Sequence, residues 1–177
     1  MALVIDATVG ADTANSFVTL SEAATYMEAR LNASLWDAAT TDTQNRALVE
    51  ATRELCGQQW AGTPVTSTQA LQWPRQWVAN PDAPSWGYAV FYTTTEIPAR
   101  VKDATCELAF QFVKMGTTDL AALPSTYGLI ENTVDVLTKR WADSRAQKLG
   151  LERFPRVMDR IRPLVIGGGV TMSVIRG

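Results

Sequence analysis

The stretch that most constrains the fold runs from Ile97 to Met115, where apolar residues recur every three or four positions. They are Ile97, Val101, Ala104, Leu108, Phe112 and Met115. This spacing draws one continuous apolar stripe along a helix, and such a stripe has to face a protein core. Pro98 suits the first helical position, where its missing N–H removes no hydrogen bond, and Gly116 suits the end. The stretch therefore predicts a buried amphipathic helix at the centre of the domain.

Three weaker helical patterns accompany this central stretch. Ser21 is expected to cap a helix that fades at Asn32. A second helix is predicted over about 43–59, and a third over about 154–165 with Pro155 in its first turn. Together with the central helix, these segments predict a four-helix core.

The remaining patterned segments predict loops and a β-ribbon. Between residues 60 and 92 the helical period is lost among prolines and tryptophans, which indicates a structured loop region packed on the helices. Two alternating apolar runs at about 127–142 fit a pair of strands or one long ribbon, and a helix over Asp135–Trp141 is the alternative. The expected fold class is therefore mainly α (α+β), a four-helix core with a β-ribbon and extended arms at both ends.

The arms are predicted from the two ends of the chain. Residues 1–20 alternate weakly and then become polar, which favours an extended N-terminal arm. Near the other end, the glycines at 167–169 form a hinge, and the residues behind it alternate as in a strand. A hinge that carries one apolar strand is typical of β-addition to another chain's sheet, although a frayed tail is the alternative. We assign residues 1–165 to a single domain and residues 166–177 to a C-terminal arm, whose apolar contact residues are Ile166, Val170, Met172, Val174 and Ile175.

Several classes of function are excluded or disfavoured by residue types. The chain contains no histidine, so Ser-His-Asp triads, Cys-His pairs and His zinc sites are excluded. Its two cysteines, Cys56 and Cys106, lie in predicted helices and are interpreted as reduced packing residues. The glycines at 167–169 lack the lysine and hydroxyl of a phosphate loop. We expect no enzyme activity, no metal and no cofactor.

Compartment signals are also absent from the sequence. There is no apolar run long enough to cross a bilayer, and the first residues carry acids where an export signal would carry bases. We expect no membrane partner and synthesis in the cytosol.

Charge is distributed unevenly along the chain. Residues 139–177 contain nine Lys/Arg and three acids, a net charge of +6, whereas residues 1–138 contain 7 bases and 15 acids, a net charge of −8. Such a polarised chain is expected to place one end against an acidic surface, which is either nucleic acid or the acidic part of a neighbouring copy.

The aromatic residues occupy a different part of the sequence from the basic ones. Four of the six tryptophans lie in the loop region, namely Trp60, Trp73, Trp77 and Trp86. Interleaved aromatics can stack the bases of a single strand. However, Arg75 and Asp82 are the only charged residues of this region, and a groove without cations does not hold phosphates. The tryptophans are therefore interpreted as packing residues.

Three segments carry a family resemblance: Asp12–Leu20, Ala70–Arg75 and Ile97–Ala109. Through them the chain resembles a family of tailed-phage proteins labelled "putative DnaT-like single-stranded-DNA-binding protein", over roughly residues 10–115. Similar proteins look like head–tail connectors, which are helical adaptors that form a twelve-fold ring beneath the portal and above the tail.

This resemblance implies a structural virion protein in the neck, without catalysis. The implied partners are further copies of the chain in a ring of twelve, the portal protein, a tail or second neck protein, and the packaged double-stranded DNA in the channel. The C-terminal arm would dock onto the portal. The basic residues Lys139, Arg140, Arg145, Lys148 and Arg153 would contact either the DNA phosphates or the acidic part of an adjacent copy. The alternative function is that of a DNA-binding accessory protein, which binds single strands as the family label says.

Overall fold

A computed structural model describes residues 3–84, 90–116 and 150–166, together with the backbone of the strands at 129–133 and 138–141. The described part contains five α-helices. They are α1 (Leu20–Glu28), α2 (Ser34–Asp37), α3 (Thr41–Cys56), α4 (Ala99–Met115) and α5 (Pro155–Ile161). The mainly α (α+β) fold class is confirmed, and the short helix α2 adds to the four that the sequence predicts. It arises because Trp36, within an otherwise polar link, is buried against the core.

Two antiparallel strand pairs complete the described architecture. In the loop region, β1 (Thr63–Pro64) pairs with β2 (Arg75–Gln76). The predicted ribbon is present as β3 (Leu129–Thr133) and β4 (Thr138–Trp141), which pair with a register shift between Leu129 and Glu131. The backbone therefore confirms a β-ribbon within residues 127–142.

Helix α4 is the centre of the core, as its apolar stripe predicts. It packs against α3 and α5, with further contacts to α1 and α2. Its residues Val101 and Leu108 are fully buried in the core. Gly116 ends the helix in a left-handed conformation with φ of 67°, which favours glycine. Pro98 is the N-cap and not the first helical residue, because its extended backbone (ψ of 141°) precedes the first turn.

The start of α1 differs from the prediction by two residues. Thr19, and not Ser21, is the N-cap: its hydroxyl accepts a hydrogen bond from the Glu22 N–H, and the Glu22 carboxylate accepts one from the Thr19 N–H. This reciprocal capping box satisfies two backbone donors at once, which a serine cap at 21 would not do with Glu22. The helix also ends at Glu28, before the predicted Asn32.

The N-terminal segment contacts the body of its own chain. Residues 3–19 contain no helix or strand, but Phe17 and Val18 are buried in the core. The Phe17 N–H donates to the Thr52 hydroxyl of α3 at 3.2 Å, and the side chain of Asn45 in the same helix donates to the Leu3 carbonyl at 2.9 Å. The prediction of an extended N-terminal arm is therefore wrong for the end of this segment, because Phe17 and Val18 are buried within the protomer. Val4, nearer the start, is exposed.

The last described residues are also attached to the body. After α5, a 3₁₀ turn (Arg162–Leu164) buries Leu164, and Val165 forms an antiparallel bridge with Trp60. The Ile166 N–H then donates to the Gln59 carbonyl at 2.7 Å. The C-terminal arm would thus leave the domain beside residues 59–61.

Both cysteines are free and lie in helices, Cys56 at the end of α3 and Cys106 in α4. Cys106 exposes only 2% of its surface, and burial raises the pKa of its thiol to about 12. Since the raised pKa keeps the thiol protonated at pH 8, we expect native protein to leave Cys106 unmodified by iodoacetamide until it is unfolded. Peptide mapping after labelling checks this, and rapid native labelling of Cys106 would contradict its role as a packing residue.

Candidate functional site

Most of the predicted C-terminal arm lies outside the described residues. This applies to Val170, Met172, Val174 and Ile175. Ile166 is described, and it exposes 67% of its surface. An exposed isoleucine at this position is compatible with a contact residue, and the docking role itself remains a prediction.

The predicted basic residues are brought together only in part. The backbone of Lys139 pairs with Asn132 and that of Arg140 with Glu131 in the ribbon, whereas Arg145 and Lys148 lie outside the described residues. Arg153 ends the 3₁₀ turn at Gly150–Arg153 and is half-buried. Their predicted contact with DNA or with an adjacent copy remains a prediction.

The loop region exposes an apolar surface that the sequence interpretation assigned to packing. Trp77 exposes 69% of its surface, Phe91 46% and Val90 42%. The rings of Trp77 and Phe91 meet edge to face with centroids 5.9 Å apart. We call these three residues the aromatic patch. By contrast, Trp60 and Trp73 are buried and pack edge to face within the core, as predicted.

Arg75 joins separate segments of the loop region. It is 6% exposed, and its guanidinium donates to the carbonyl oxygens of Ala61 (2.8 Å) and Gly62 (2.7 Å) and to the Gln72 side chain (2.7 Å). Arg75 belongs to β2, two residues before Trp77. The one basic residue of the described segments 60–84 and 90–92 is therefore structural and cannot bind phosphate.

Arg100, a second cation, is paired with the carboxylate of Asp82. Arg100 of α4 donates to both carboxylate oxygens of Asp82. The Arg100 hydrogen bond lowers the pKa of Asp82. Burial, together with the charges of Asp82 and the exposed Glu96, raises the pKa of Tyr92, next to the patch. The surroundings of the aromatic patch are thus neutral to acidic.

Trp77 adopts a backbone conformation that tryptophan rarely adopts. Its φ is 64°, and it is the one residue other than glycine with a positive φ in the described chain. The left-handed region costs a residue with a Cβ about 1–2 kcal/mol. Strain of this kind is concentrated at functional sites, where a side chain has to be held in one direction.

The strain at Trp77 leads to a direct comparison of two variants. We expect Trp77→Gly to be more stable than Trp77→Ala by about 1 kcal/mol, because both lack the indole but only glycine accepts the positive φ without strain. Urea denaturation of the two variants measures the difference. Equal stability, or a more stable alanine variant, would contradict the strained conformation.

A second surface is a cavity of about 500 Å³ beside α1, α4 and α5. We call it the arginine pocket and define it by its lining residues Tyr26, Arg30, Leu31, Glu107, Arg156 and Arg160. Three guanidiniums and one carboxylate give the lining a net positive charge. Leu31 at its rim is 94% exposed. The pocket therefore combines cationic and apolar surface.

The carboxylate of Glu107 organises the arginine pocket. Glu107 is 5% exposed, forms an ion pair with Arg30, and accepts a hydrogen bond from the Tyr26 hydroxyl at 2.8 Å through Oε1. Burial and the Glu107 carboxylate raise the pKa of Tyr26, so its hydroxyl stays protonated as the donor. The guanidinium of Arg30 lies over the Phe110 ring, with Cζ 4.1 Å from the centroid. Glu107 Oε2 is buried and has no hydrogen-bond partner among the described residues.

The other two arginines of the pocket come from α5. Arg156 and Arg160 are four residues apart and so share one face of this helix. Arg160 forms an ion pair with Asp103 of α4, whereas Arg156 is exposed and has no ion-pair partner among the described residues. The α5 spacing is readable from the sequence. The association with Arg30 and Glu107 is not, because these residues lie on elements distant in the chain.

Two further features of the described ranges concern metal binding and membranes. No group of three or more Cys, Asp or Glu side chains there could hold a metal ion. None of the helices found in those ranges is long and apolar enough to span a bilayer.

Comparison with known proteins identifies a family. A family model described as "Putative DnaT-like ssDNA binding protein" matches residues 1–177. No curated protein and no solved structure matches the chain. The match confirms the family resemblance and extends it beyond residues 10–115. Its description names single-stranded DNA binding, which agrees with the alternative function and contains nothing on a head–tail role.

Proposed function

The chain belongs to the family described as "Putative DnaT-like ssDNA binding protein", and on this premise we propose that it is a structural virion protein without catalytic activity. In this proposal it is a head–tail connector (adaptor), and copies of it form a ring between the portal and the tail of a tailed phage. Its location is the virion neck, after assembly in the host cytoplasm.

The observation that carries the proposal is the aromatic patch. Trp77, Val90 and Phe91 expose apolar surface. The Arg75 guanidinium of the loop region donates to carbonyl oxygens, and Arg100 of α4 is paired with Asp82. A single-strand site needs stacking surfaces and available cations in one groove. An exposed apolar surface with neutral to acidic surroundings fits a protein partner better.

The proposed neck assembly assigns a partner to each remaining surface. Further copies, twelve in a closed ring, would cover the apolar surfaces by heterologous contacts. The C-terminal arm at 166–177 would bind the portal, and a tail or second neck protein would bind the opposite side. Lys139, Arg140, Arg145, Lys148 and Arg153 would face either the double-stranded DNA in the channel or the acidic part of a neighbour.

A pull-down on purified portal rings tests this assignment. Full-length protein should be retained by portal rings, whereas a chain truncated after Val165 should lose most of the retention while its circular dichroism is unchanged. Retention of both chains to the same extent would contradict the arm assignment. Retention of neither would contradict the adaptor function.

Single-stranded DNA binding is the second candidate, and two observations favour it. The family description names this activity, and the arginine pocket has a net positive lining. A fluorescence titration with a short oligonucleotide distinguishes the candidates. The adaptor proposal predicts weak binding, whereas tight binding that falls steeply with salt concentration would favour the DNA-binding function.

A further inference from the structure

We infer that the aromatic patch of one copy docks in the arginine pocket of the next copy, with Trp77 as the anchor. This inference rests on the proposed ring, because it names the surfaces through which neighbouring copies meet. The patch and the pocket share no residue, so each copy can use both at once. A contact between two different surfaces is heterologous, and repetition of such a contact closes a ring when the rotation allows it.

The chemistry of the pocket favours an aromatic ligand over a phosphate. The Arg30 and Arg160 guanidiniums are already paired with the carboxylates of Glu107 and Asp103. A phosphate would compete with these carboxylates for the N–H edges and would lie close to two negative charges. Aromatic rings instead stack on the faces of guanidinium groups, as Phe110 does on Arg30. The pocket is therefore suited to a neutral ring.

Glu107 Oε2, a carboxylate oxygen without a hydrogen-bond partner among the described residues, favours an aromatic ligand that carries a hydrogen-bond donor. Glu107 lines the cavity, is 5% exposed, and has no hydrogen-bond partner at Oε2 among the described residues. An indole offers one N–H together with a large aromatic face. Trp77 exposes 69% of its surface. Tryptophan thus supplies both the donor and the aromatic face that the pocket lacks.

Charge and apolar surface are complementary around this contact. Asp82 is already paired with Arg100, so Glu96 is the acidic residue beside the patch that would face the cationic lining of the pocket. Arg156 in that lining has no ion-pair partner among the described residues. The exposed side chains of Leu31 and Phe91 would be covered together. Two aromatic side chains bury about 150–250 Å² each, whereas a stable interface buries about 800 Å² on each partner. The patch would therefore be the hot spot of a larger interface.

Single variants test each side of the contact by sedimentation velocity over a range of concentrations. Trp77→Ala and Arg156→Glu should each weaken self-association about 30-fold or more, as expected for hot-spot residues. Trp77→Phe keeps a ring and removes the N–H, so it should weaken association about 10-fold. Arg162→Glu is the control, since it makes the same charge change on the neighbouring turn outside the pocket, and it should associate like the wild type. It also breaks an ion pair with Asp159 at 3.9 Å, which is exposed and contributes little to stability. Circular dichroism establishes that each variant is folded.

A mixing experiment gives the decisive result. Trp77→Ala retains an intact pocket and Arg156→Glu an intact patch, so an equal mixture should form one-to-one dimers with wild-type affinity and nothing larger. A mixture that stays monomeric, or single variants that assemble normally, would overturn the inference. A wild-type chain that remains monomeric up to about 1 mM would also overturn the inference.

A separate outcome concerns nucleic acid. If Arg156→Glu loses oligonucleotide binding but assembles normally, the arginine pocket binds nucleic acid and the inference is overturned. None of these outcomes changes retention on portal rings through the arm, which tests the adaptor function separately.

Discussion

Replacing Arg75 with alanine is expected to destabilise the protein by about 3 kcal/mol, because several buried carbonyl groups of the loop region lose their donor together. The guanidinium contacts Ala61, Gly62 and Gln72, and it is 6% exposed. Since Arg75 lies two residues before Trp77, the variant should also lose the fixed position of the aromatic patch. Urea denaturation measures the first effect, and self-association of the folded fraction measures the second.

Two further variants distinguish the loss of the Arg75 hydrogen bonds from the loss of a positive charge alone. Arg75→Lys should recover little stability, because an ammonium cannot reach carbonyl groups on three sides at once. Arg53→Ala removes an arginine whose side chain is 68% exposed and pairs with Glu50 on the same helix, so it should change stability by less than about 0.5 kcal/mol. Arg75→Ala with the stability of Arg53→Ala would contradict the structural role of Arg75.

Replacing Glu107 with alanine should destabilise the protein by about 3–5 kcal/mol, since it leaves a buried guanidinium without its counter-ion. The side chains of Arg30 and Glu107 are 14% and 7% exposed, and Tyr26 would lose the acceptor of its hydroxyl as well. Thermal or urea denaturation measures the change in the free energy of unfolding.

The double variant Arg30→Met with Glu107→Leu is the control for this pair. Two apolar side chains of similar volume leave no unpaired charge, so the double variant should be much more stable than Glu107→Ala. A double variant as unstable as the single one would assign the loss to packing and not to the ion pair. A Glu107→Ala cost below about 1 kcal/mol would contradict the buried pair altogether.

Local periodicity predicts those parts of the fold that rest on contacts between near neighbours in sequence. The stripe from Val101 to Phe112 identifies the core helix, and the left-handed Gly116 ends it where expected. Alternation at 127–142 likewise predicts the ribbon. Such patterns can be recognised within one segment of sequence, because each reflects which face of a single helix or strand is buried.

The aromatic patch and the arginine pocket depend instead on contacts between residues that are distant in the sequence. Composition cannot distinguish the exposed Trp77 from the buried Trp73, because exposure depends on how the loop region packs in three dimensions. The Arg30–Glu107 pair joins elements 77 residues apart. The packing of the N-terminal segment also depends on long-range contacts, since its partners Asn45 and Thr52 lie on α3.

The family description and the proposed function are compatible if the DNA binding named in the description is contact with DNA inside the channel of the proposed ring. In that case basic residues of the ribbon and its flanks would contact phosphates, while the aromatic patch would serve assembly. Weak, salt-sensitive binding of any DNA, single or double stranded, is what such a surface predicts. Selective and tight binding of single strands would instead support the activity in the family description.

Imaging purified phage particles at the vertex where the tail attaches tests the central claim most directly. The account predicts a ring of this chain between the portal and the tail, with Trp77 of each copy buried against its neighbour. Particles whose neck contains no copy of this chain would contradict it.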